Sequence, residues 1–171
     1  MCIRDRTEDY LDPSDFEQLK TTLLKDEFPW FLSTIVNSDD TLAPDWNTQM
    51  VHRFYDNNVP TSSFLQTLDP VFTKIIASGM SSLHKVKGNI VHRTENIIEH
   101  GYHIDISDHR PYFRTSILYM NTCDGYTKFE DGTIVTSEAN RFVTFPTSMR
   151  HTGTTCTDAK FRMVLNFNYA I

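Results

Sequence analysis

Residues 126–145 read YTKFEDGTIVTSEANRFVTF. Two short runs rich in aromatic and β-branched residues, Tyr126–Glu130 and Thr133–Ser137, flank Asp131-Gly132. An Asp-Gly pair between such runs is a strong signal for a tight hairpin. A third run, Phe142–Phe145, follows after a polar break. The same texture continues outward, through Val86–His92, Tyr102–Ile106 and Arg114–Asn121 upstream and Phe161–Tyr169 downstream. Asp124-Gly125 marks another turn. Many short strands with few helices among them read as a sandwich or jelly roll, so the expected fold class is mainly β with flanking helices.

Further upstream the texture is mixed. A helix is expected from Pro13 to Lys25, with Ser14 and Glu17 as a capping box and Phe16, Leu19 and Leu23 as its apolar stripe. Phe28–Val36 and Gln49–Tyr55 read as strands, with a polar, turn-rich stretch Asn37–Asn47 between them. Asp56–Ser63, broken by Asn57, Asn58 and Pro60, reads as a loop. A second helix starts at Asp69-Pro70 and runs to about His84, with Phe72, Ile75, Ile76, Met80 and Leu83 on its buried face. The 171 residues make one domain, in which 1–85 supports a β core at 86–171. Met1–Arg6, MCIRDR, fits no capping or core pattern and resembles a translated sequencing-adapter scar.

Composition narrows the function classes. Hydrophobic residues make up 39% of the chain, which argues against disorder. No apolar run approaches the roughly 20 residues of a membrane span, and no secretory leader is evident. Cys2, Cys123 and Cys156 share no metal-binding spacing and read as reduced thiols, with Cys123 and Cys156 inert in turn-like stretches. A formal net charge of -6 argues against a nucleic-acid partner, because phosphate neutralisation needs a basic excess.

Of the seven histidines, only His103 has a carboxylate two residues on, in His103-Ile104-Asp105. Side chains alternate along a strand, so His103 and Asp105 reach one face and can share an ion. Two histidines and one carboxylate form the facial triad of non-haem iron(II) sites, which leaves coordination positions open for substrates. His151 is the only histidine after His109 and is the candidate third ligand. His-x-Asp alone is weak: seven histidines and 22 acids among 171 residues give about one chance match. The last strand adds weight. Arg162, Val164, Asn166 and Asn168 share one face, and Phe161, Met163, Leu165 and Phe167 the other. The first face looks like a wet cavity wall, with a guanidinium suited to gripping a carboxylate through two oxygens. His92, His100 and His109 read as solvent or loop residues. Arg93, Arg110, Arg114 and Arg150 flank the motifs and are candidates for the pocket rim.

The order His103, Asp105, His151, then Arg162 eleven residues on, resembles the prolyl 4-hydroxylase-like branch of the 2-oxoglutarate/iron(II) dioxygenases, and more closely its small versions in marine phages and bacteria. Ile117–Asn121 is similar to the family's strand ending Tyr-Leu-Asn, Gly125–Phe129 to its Gly-Gly-x-Thr-x-Phe, and Phe145 to its residue entering the distal-ligand strand. The resemblance covers residues 86–171. It implies a double-stranded β-helix (cupin-like jelly roll), Fe(II) at His103, Asp105 and His151, and 2-oxoglutarate held by Arg162 and Tyr119. It further implies O2 as oxidant, with ascorbate as a supporting reductant. The implied reaction is hydroxylation of a peptidyl (prolyl), amino-acid or other small-molecule substrate coupled to decarboxylation of 2-oxoglutarate to succinate, in the cytoplasm of a bacterial or phage-infected cell. Asn166, Asn168 and Arg114 are the expected substrate residues. Two positions depart from the pattern: Val91 stands where many relatives have a cosubstrate-binding tyrosine, and Tyr126 stands for the second glycine. The competing classes are a cupin-like metal- or ligand-binding protein and a non-catalytic phage interaction protein.

Overall fold

The Asp131-Gly132 hairpin forms as read: β7 (Tyr126–Phe129) and β8 (Ile134–Thr136) pair antiparallel, with Gly132 at φ 87° in the turn, a conformation suited to glycine. The computed structural model describes residues 5–35, 47–106 and 111–171. On the other side of β7 lies β10 (His151–Gly153), which completes a three-stranded sheet in the order β10-β7-β8.

The larger sheet has eight strands. They are β1 (Asp5–Thr7), β2 (Phe31–Thr34), β3 (Thr48–Asp56), β4 (Val59–Pro60), β5 (Ser82–His92), β6 (Phe113–Tyr119), β9 (Phe142–Pro146) and β11 (Phe161–Ala170). Its order is β1-β9-β6-β11-β5-β3-β2, with β4 paired to β3. β5 crosses position 85 and pairs with β3 on one side and β11 on the other, so strands from both halves of the chain share one sheet.

The alternation of β11 builds two cores at once. Met163, Leu165 and Phe167 point to the face covered by α1 (Pro13–Leu23) and α2 (Asp69–Ala77), where they pack with Phe16, Leu19, Leu23, Val71 and Ile75. Val164 points the other way and joins Ile117, Tyr119, Phe129, Val135, Val143 and Phe145, which seal the small sheet onto the large one. The layers are therefore helices, large sheet, small sheet, the sandwich of a jelly roll. Arg162 and Asn166 share the Val164 face and open into the space between the sheets.

Several local expectations give way to tertiary pairing. The second helix stops at Ala77 rather than running to His84, because Leu83 and Ser82 pair with Tyr169 and Ala170 of β11. Its buried residues are Val71 and Ile75, while Ile76 is exposed. The first helix ends at Leu23 and has Asp12, not Ser14, at its N-cap, so the capping box does not form. Phe28–Val36 shortens to β2, and Phe28 is a buried turn residue instead; Val36 and residues 37–46 lie outside the described residues. Asp56–Ser63 holds a hairpin, with Asn57 and Asn58 at φ 50° and 65° between β3 and β4. Asp5 and Arg6 pair with Thr144 and Val143, so part of the anomalous N-terminal string sits in the sheet.

The expected strand Tyr102–Ile106 is replaced by an irregular run beside β10. Glu99 opposes Thr154 and His103 opposes His151, so four steps on one side match three on the other. That extra residue is a bulge, a device that re-aims side chains beside sites. The same-face argument for His103 and Asp105 therefore rests on the bulge and the bend after it, not on strand alternation.

Candidate metal centre

His103, Asp105 and His151 offer ligand atoms that all lie within 4.8 Å of one another. His103 Nε2 is 3.8 Å from Asp105 Oδ1, and His151 Nε2 is 3.7 Å from Asp105 Oδ2. These gaps are wider than hydrogen bonds and shorter than about 4.4 Å, twice a metal–ligand bond of roughly 2.0–2.2 Å. Both rings are oriented by their other nitrogen. His103 Nδ1 donates to the Gly101 carbonyl at 3.2 Å, and His151 Nδ1 to the Met149 carbonyl at 3.1 Å. Each such bond fixes the tautomer and leaves the Nε2 lone pair for a metal. Asn168 Nδ2 donates to Asp105 Oδ2 at 3.3 Å and orients the carboxylate. Burial alone would raise the Asp105 carboxyl, but His151, His103 and Lys87 outweigh it and hold the group below its ordinary value. Burial, reinforced by His151, pushes His103 down and keeps it neutral for ligation.

The three groups border a cavity of about 290 Å³ between the sheets. At one end stands Arg162, only 4% exposed. Its Nε donates to Ser137 Oγ at 2.8 Å and its Nη2 to Thr127 Oγ1 at 3.0 Å. Thr127 Oγ1 also accepts from the buried Tyr119 hydroxyl at 2.8 Å. No carboxylate pairs with Arg162 among the described residues, and burial lowers its affinity for the proton. A buried, unpaired guanidinium is costly unless an anion completes it. Two glycines leave room beside it. A Cβ on Gly125 would lie 2.7 Å from Arg162 Cδ, and one on Gly153 would lie 3.3 Å from Nη1.

The expected site residues separate as follows. His103, Asp105, His151 and Arg162 are brought together around the cavity. Tyr119 lies behind it, packed against Arg162 with the guanidinium 5.5 Å from its ring centre. Asn166 lines the cavity, while Asn168 acts through Asp105. Arg114 does not line it: the residue lies on the opposite face of β6 from Thr115 and Ile117, and its guanidinium donates to the Pro111 and Phe113 carbonyls. Arg93 and Arg150 are exposed and also absent from the lining; His109 and Arg110 lie outside the described residues. The lining cations besides Arg162 are Lys85 and Lys87, which the sequence reading passed over.

His100, read from sequence as a solvent or loop residue, does lie in the irregular run and outside the metal cluster, but it is also a cavity residue. It lines the Arg162 end, where Val91 pairs with Arg162 and supplies no polar group. Its Nδ1 accepts from Asn47 Nδ2 at 3.5 Å, which puts the proton on Nε2. That Nε2 is buried without a hydrogen-bond partner. Burial, then the nearby Arg162 and His103, push the ring down to about 4, so it is neutral at pH 7. Nothing in the local sequence of His100 distinguishes it; its role depends on the bulge that carries the run past β10.

Solved structures resemble this fold over 98% of the chain. An oxidoreductase of the 2OG-Fe(II) oxygenase family from Burkholderia pseudomallei matches with a TM-score of 0.66 at 14% identity, over 85% of its own length. A prolyl hydroxylase from Trichoplax adhaerens, in complex with a peptide fragment of the hypoxia inducible factor oxygen degradation domain, matches with a TM-score of 0.67 at 11% identity, over 83% of its length. The epimerase SnoN in complex with Fe3+, alpha ketoglutarate and nogalamycin RO matches with a TM-score of 0.65 at 10% identity, over 78% of its length. At these identities the likeness establishes a shared jelly-roll fold. No family model and no curated protein matches the sequence.

Proposed function

We propose that this protein is an iron(II)- and 2-oxoglutarate-dependent oxygenase that hydroxylates a peptidyl, amino-acid or other small-molecule substrate. The observation that carries the reading is the pairing, in one cavity, of a two-histidine, one-aspartate cluster with a buried guanidinium that has no carboxylate partner among the described residues. The donor set fits iron(II), and the cluster counts three protein ligands, as a centre with open positions requires. A cupin-like centre with a third histidine or a glutamate added is not found among the described residues.

The cavity also fits 2-oxoglutarate. Arg162 would take its far carboxylate, with the free Nε2–H of His100 as a further donor at the same end. Tyr119 would act through Thr127, holding the hydroxyl that positions the guanidinium. When bound, the iron and 2-oxoglutarate supply dioxygen activation, with the cosubstrate oxidised to succinate and carbon dioxide. The protein's own residues do the rest: His103 and His151 present fixed lone pairs, Asn168 aims the carboxylate, and Ile117, Val91 and Val164 line the cavity with apolar surface that limits water.

Anaerobic addition of Fe(II) and 2-oxoglutarate should give the visible charge-transfer band of a chelated 2-oxo acid, and air should convert 2-oxoglutarate to succinate. A protein that binds Fe(II) yet shows neither band nor succinate is not this enzyme. The chain's similarity to a peptide-bound prolyl hydroxylase makes proline-rich peptides an entry in the substrate panel. No helix among the described residues is long and apolar enough to cross a membrane.

A further inference from the structure

The cavity has a second cationic end. Lys87 on β5 pairs with Asn166 on β11, four residues along from the Val91–Arg162 pair. At about 3.3 Å per residue the two positions are roughly 13 Å apart along the strands. Lys85, two residues before Lys87, lies still farther from Arg162 on the same face, and both lysines line the cavity. This end adjoins the metal cluster, since Asn168, the partner of Lys85, holds Asp105. Among the described residues Lys87 makes no salt bridge and no side-chain hydrogen bond, although burial disfavours its charge. The nearby amides are occupied with one another: Asn166 Nδ2 donates to Asn89 Oδ1 at 3.1 Å, and Asn89 Nδ2 to Gln49 Oε1.

One anion does not serve both ends. A five-carbon diacid spans roughly 5 Å between carboxyl carbons at about 1.5 Å per bond, less than half the spacing of the two backbone positions. Arg162 cannot lean across, because Ser137 and Thr127 pin its guanidinium. The carboxylates that face Lys87 are Asp105, the candidate metal ligand, and Asp56, which lies 4.0 Å from Arg53, so with the cosubstrate's far carboxylate at Arg162 the lysine end keeps room for an anion of its own. A second acid beside the metal completes the charge balance there, and the position next to Asp105 is where a reacting substrate belongs.

We propose that the substrate is a small organic acid whose carboxylate is held by Lys87 and Lys85, with free amino acids and short aliphatic carboxylic acids as the class, and internal residues of a peptide excluded. The proposal rests on the oxygenase reading above. The reaction breaks one substrate C–H bond and forms C–OH. One atom of O2 enters the product and the other enters succinate, and 2-oxoglutarate supplies the two electrons as it loses carbon dioxide. The cavity of about 290 Å³, shared with the cosubstrate, suits a substrate of amino-acid size.

The test uses the Fe(II)-loaded protein with 2-oxoglutarate and a panel of free amino acids and short mono- and dicarboxylic acids, each beside its carboxamide. End-blocked proline-rich peptides and small phosphate esters complete the panel. Succinate formation and product mass are followed. An acid should gain one oxygen with kcat/KM at least about tenfold above its carboxamide, as expected for a partly buried charge pair. Lys87→Met should bring the acid down to the carboxamide's level through KM. The 2-oxoglutarate midpoint of the anaerobic charge-transfer band should stay within about twofold, because that ligand sits at the other end. A carboxamide as good as its acid, a blocked peptide or phosphate ester preferred over every acid, or Lys87→Met weakening the band would each overturn the proposal. The last of these would show that Lys87 serves Asp105 instead. A normal band and substrate-free succinate with no acid accepted sinks this proposal alone; absence of both sinks the oxygenase reading itself.

Discussion

Gly125→Ala tests the anchor without touching any residue that would contact a ligand. The added Cβ would lie 2.6 Å from the Thr155 carbonyl oxygen and 2.7 Å from Arg162 Cδ, against about 3.5 Å for ordinary contact. Relief of nearly 1 Å is needed on both sides. The Thr155 side resists, since its N–H donates to the Ile98 carbonyl at 3.1 Å and its hydroxyl is bonded to Thr94 and to the Ile98 amide. Gly125 resists as well, because its carbonyl accepts from Ser137 N–H at 2.9 Å. The Arg162 stem is left to move, which breaks the 2.8 Å and 3.0 Å bonds that aim the guanidinium. Overpacking of this kind costs roughly 1–3 kcal/mol, or a fall in Tm of about 2–10 °C for a domain of this size. Misaiming a charge-assisted pair should raise the 2-oxoglutarate midpoint about 10- to 100-fold, equivalent to roughly 1.4–2.8 kcal/mol. A thermal melt and an anaerobic titration of the charge-transfer band read the two effects. Gly132→Ala is the control: its Cβ meets nothing, so the strain of φ 87° should lower Tm while the titration holds. If Gly125→Ala leaves the titration midpoint where it was, the cavity end built by Gly125 and Arg162 does not bind the cosubstrate.

Other outcomes follow from the same geometry. Arg162→Ala should weaken 2-oxoglutarate binding by roughly 2–5 kcal/mol in the band titration and leave Fe(II) binding, measured separately, nearly intact; an unchanged 2-oxoglutarate midpoint refutes the assignment. Asp105→Ala should lose Fe(II) at micromolar metal, whereas the intact protein in chloride buffer should yield oxygenated and no chlorinated product by mass spectrometry, because Asp105 as a ligand would fill the position a halide needs. His100, neutral when folded because burial holds it near 4, favours the folded state fully above about pH 6.5 and loses that advantage as pH falls toward 4, by up to about 3 kcal/mol. His100→Gln should therefore flatten the loss of stability between pH 6.5 and 4 in denaturant unfolding; a decline as steep as that of the unaltered protein contradicts the burial described.

Much of the centre was legible because its chemistry is tied to residue type and order. His103, Asp105, His151 and Arg162 stand out as residue types suited to a metal or a carboxylate, and the structure gathers them around one cavity, with strand alternation putting Arg162 opposite Met163. The Asp131-Gly132 and Asn57-Asn58 turns were visible for a local reason, their need for positive φ, although the second was read as a loop because β4 is only two residues long. What escaped is what the sheet decides at long range. Leu83 has the right spacing for a helix from Asp69, yet it pairs with Tyr169, 86 positions away. Lys85 and Lys87 look like ordinary surface charges until β5 is placed beside β11. Arg114 looked like a site residue because it follows the motif in sequence, but strand alternation turns it away from the cavity.

The bulged run beside β10 carries His103 and Asp105, whereas His151 and Arg162 belong to the two sheets. An ion shared by His103, Asp105 and His151 is therefore a removable cross-link between an irregular segment and a regular one. By mass action such a link favours the closed arrangement by RT ln(1 + [L]/Kd), about 2.7 kcal/mol at a hundredfold excess over Kd. Local openings that release residues 98–105 should become rarer by a matching factor, while openings elsewhere in β5 or β11 change little. Amide exchange measured with and without metal would then draw the outline of the centre onto the backbone. Protection by Fe(II) should fall on the run from Ile98 to Asp105 and on its partners from His151 to Thr155.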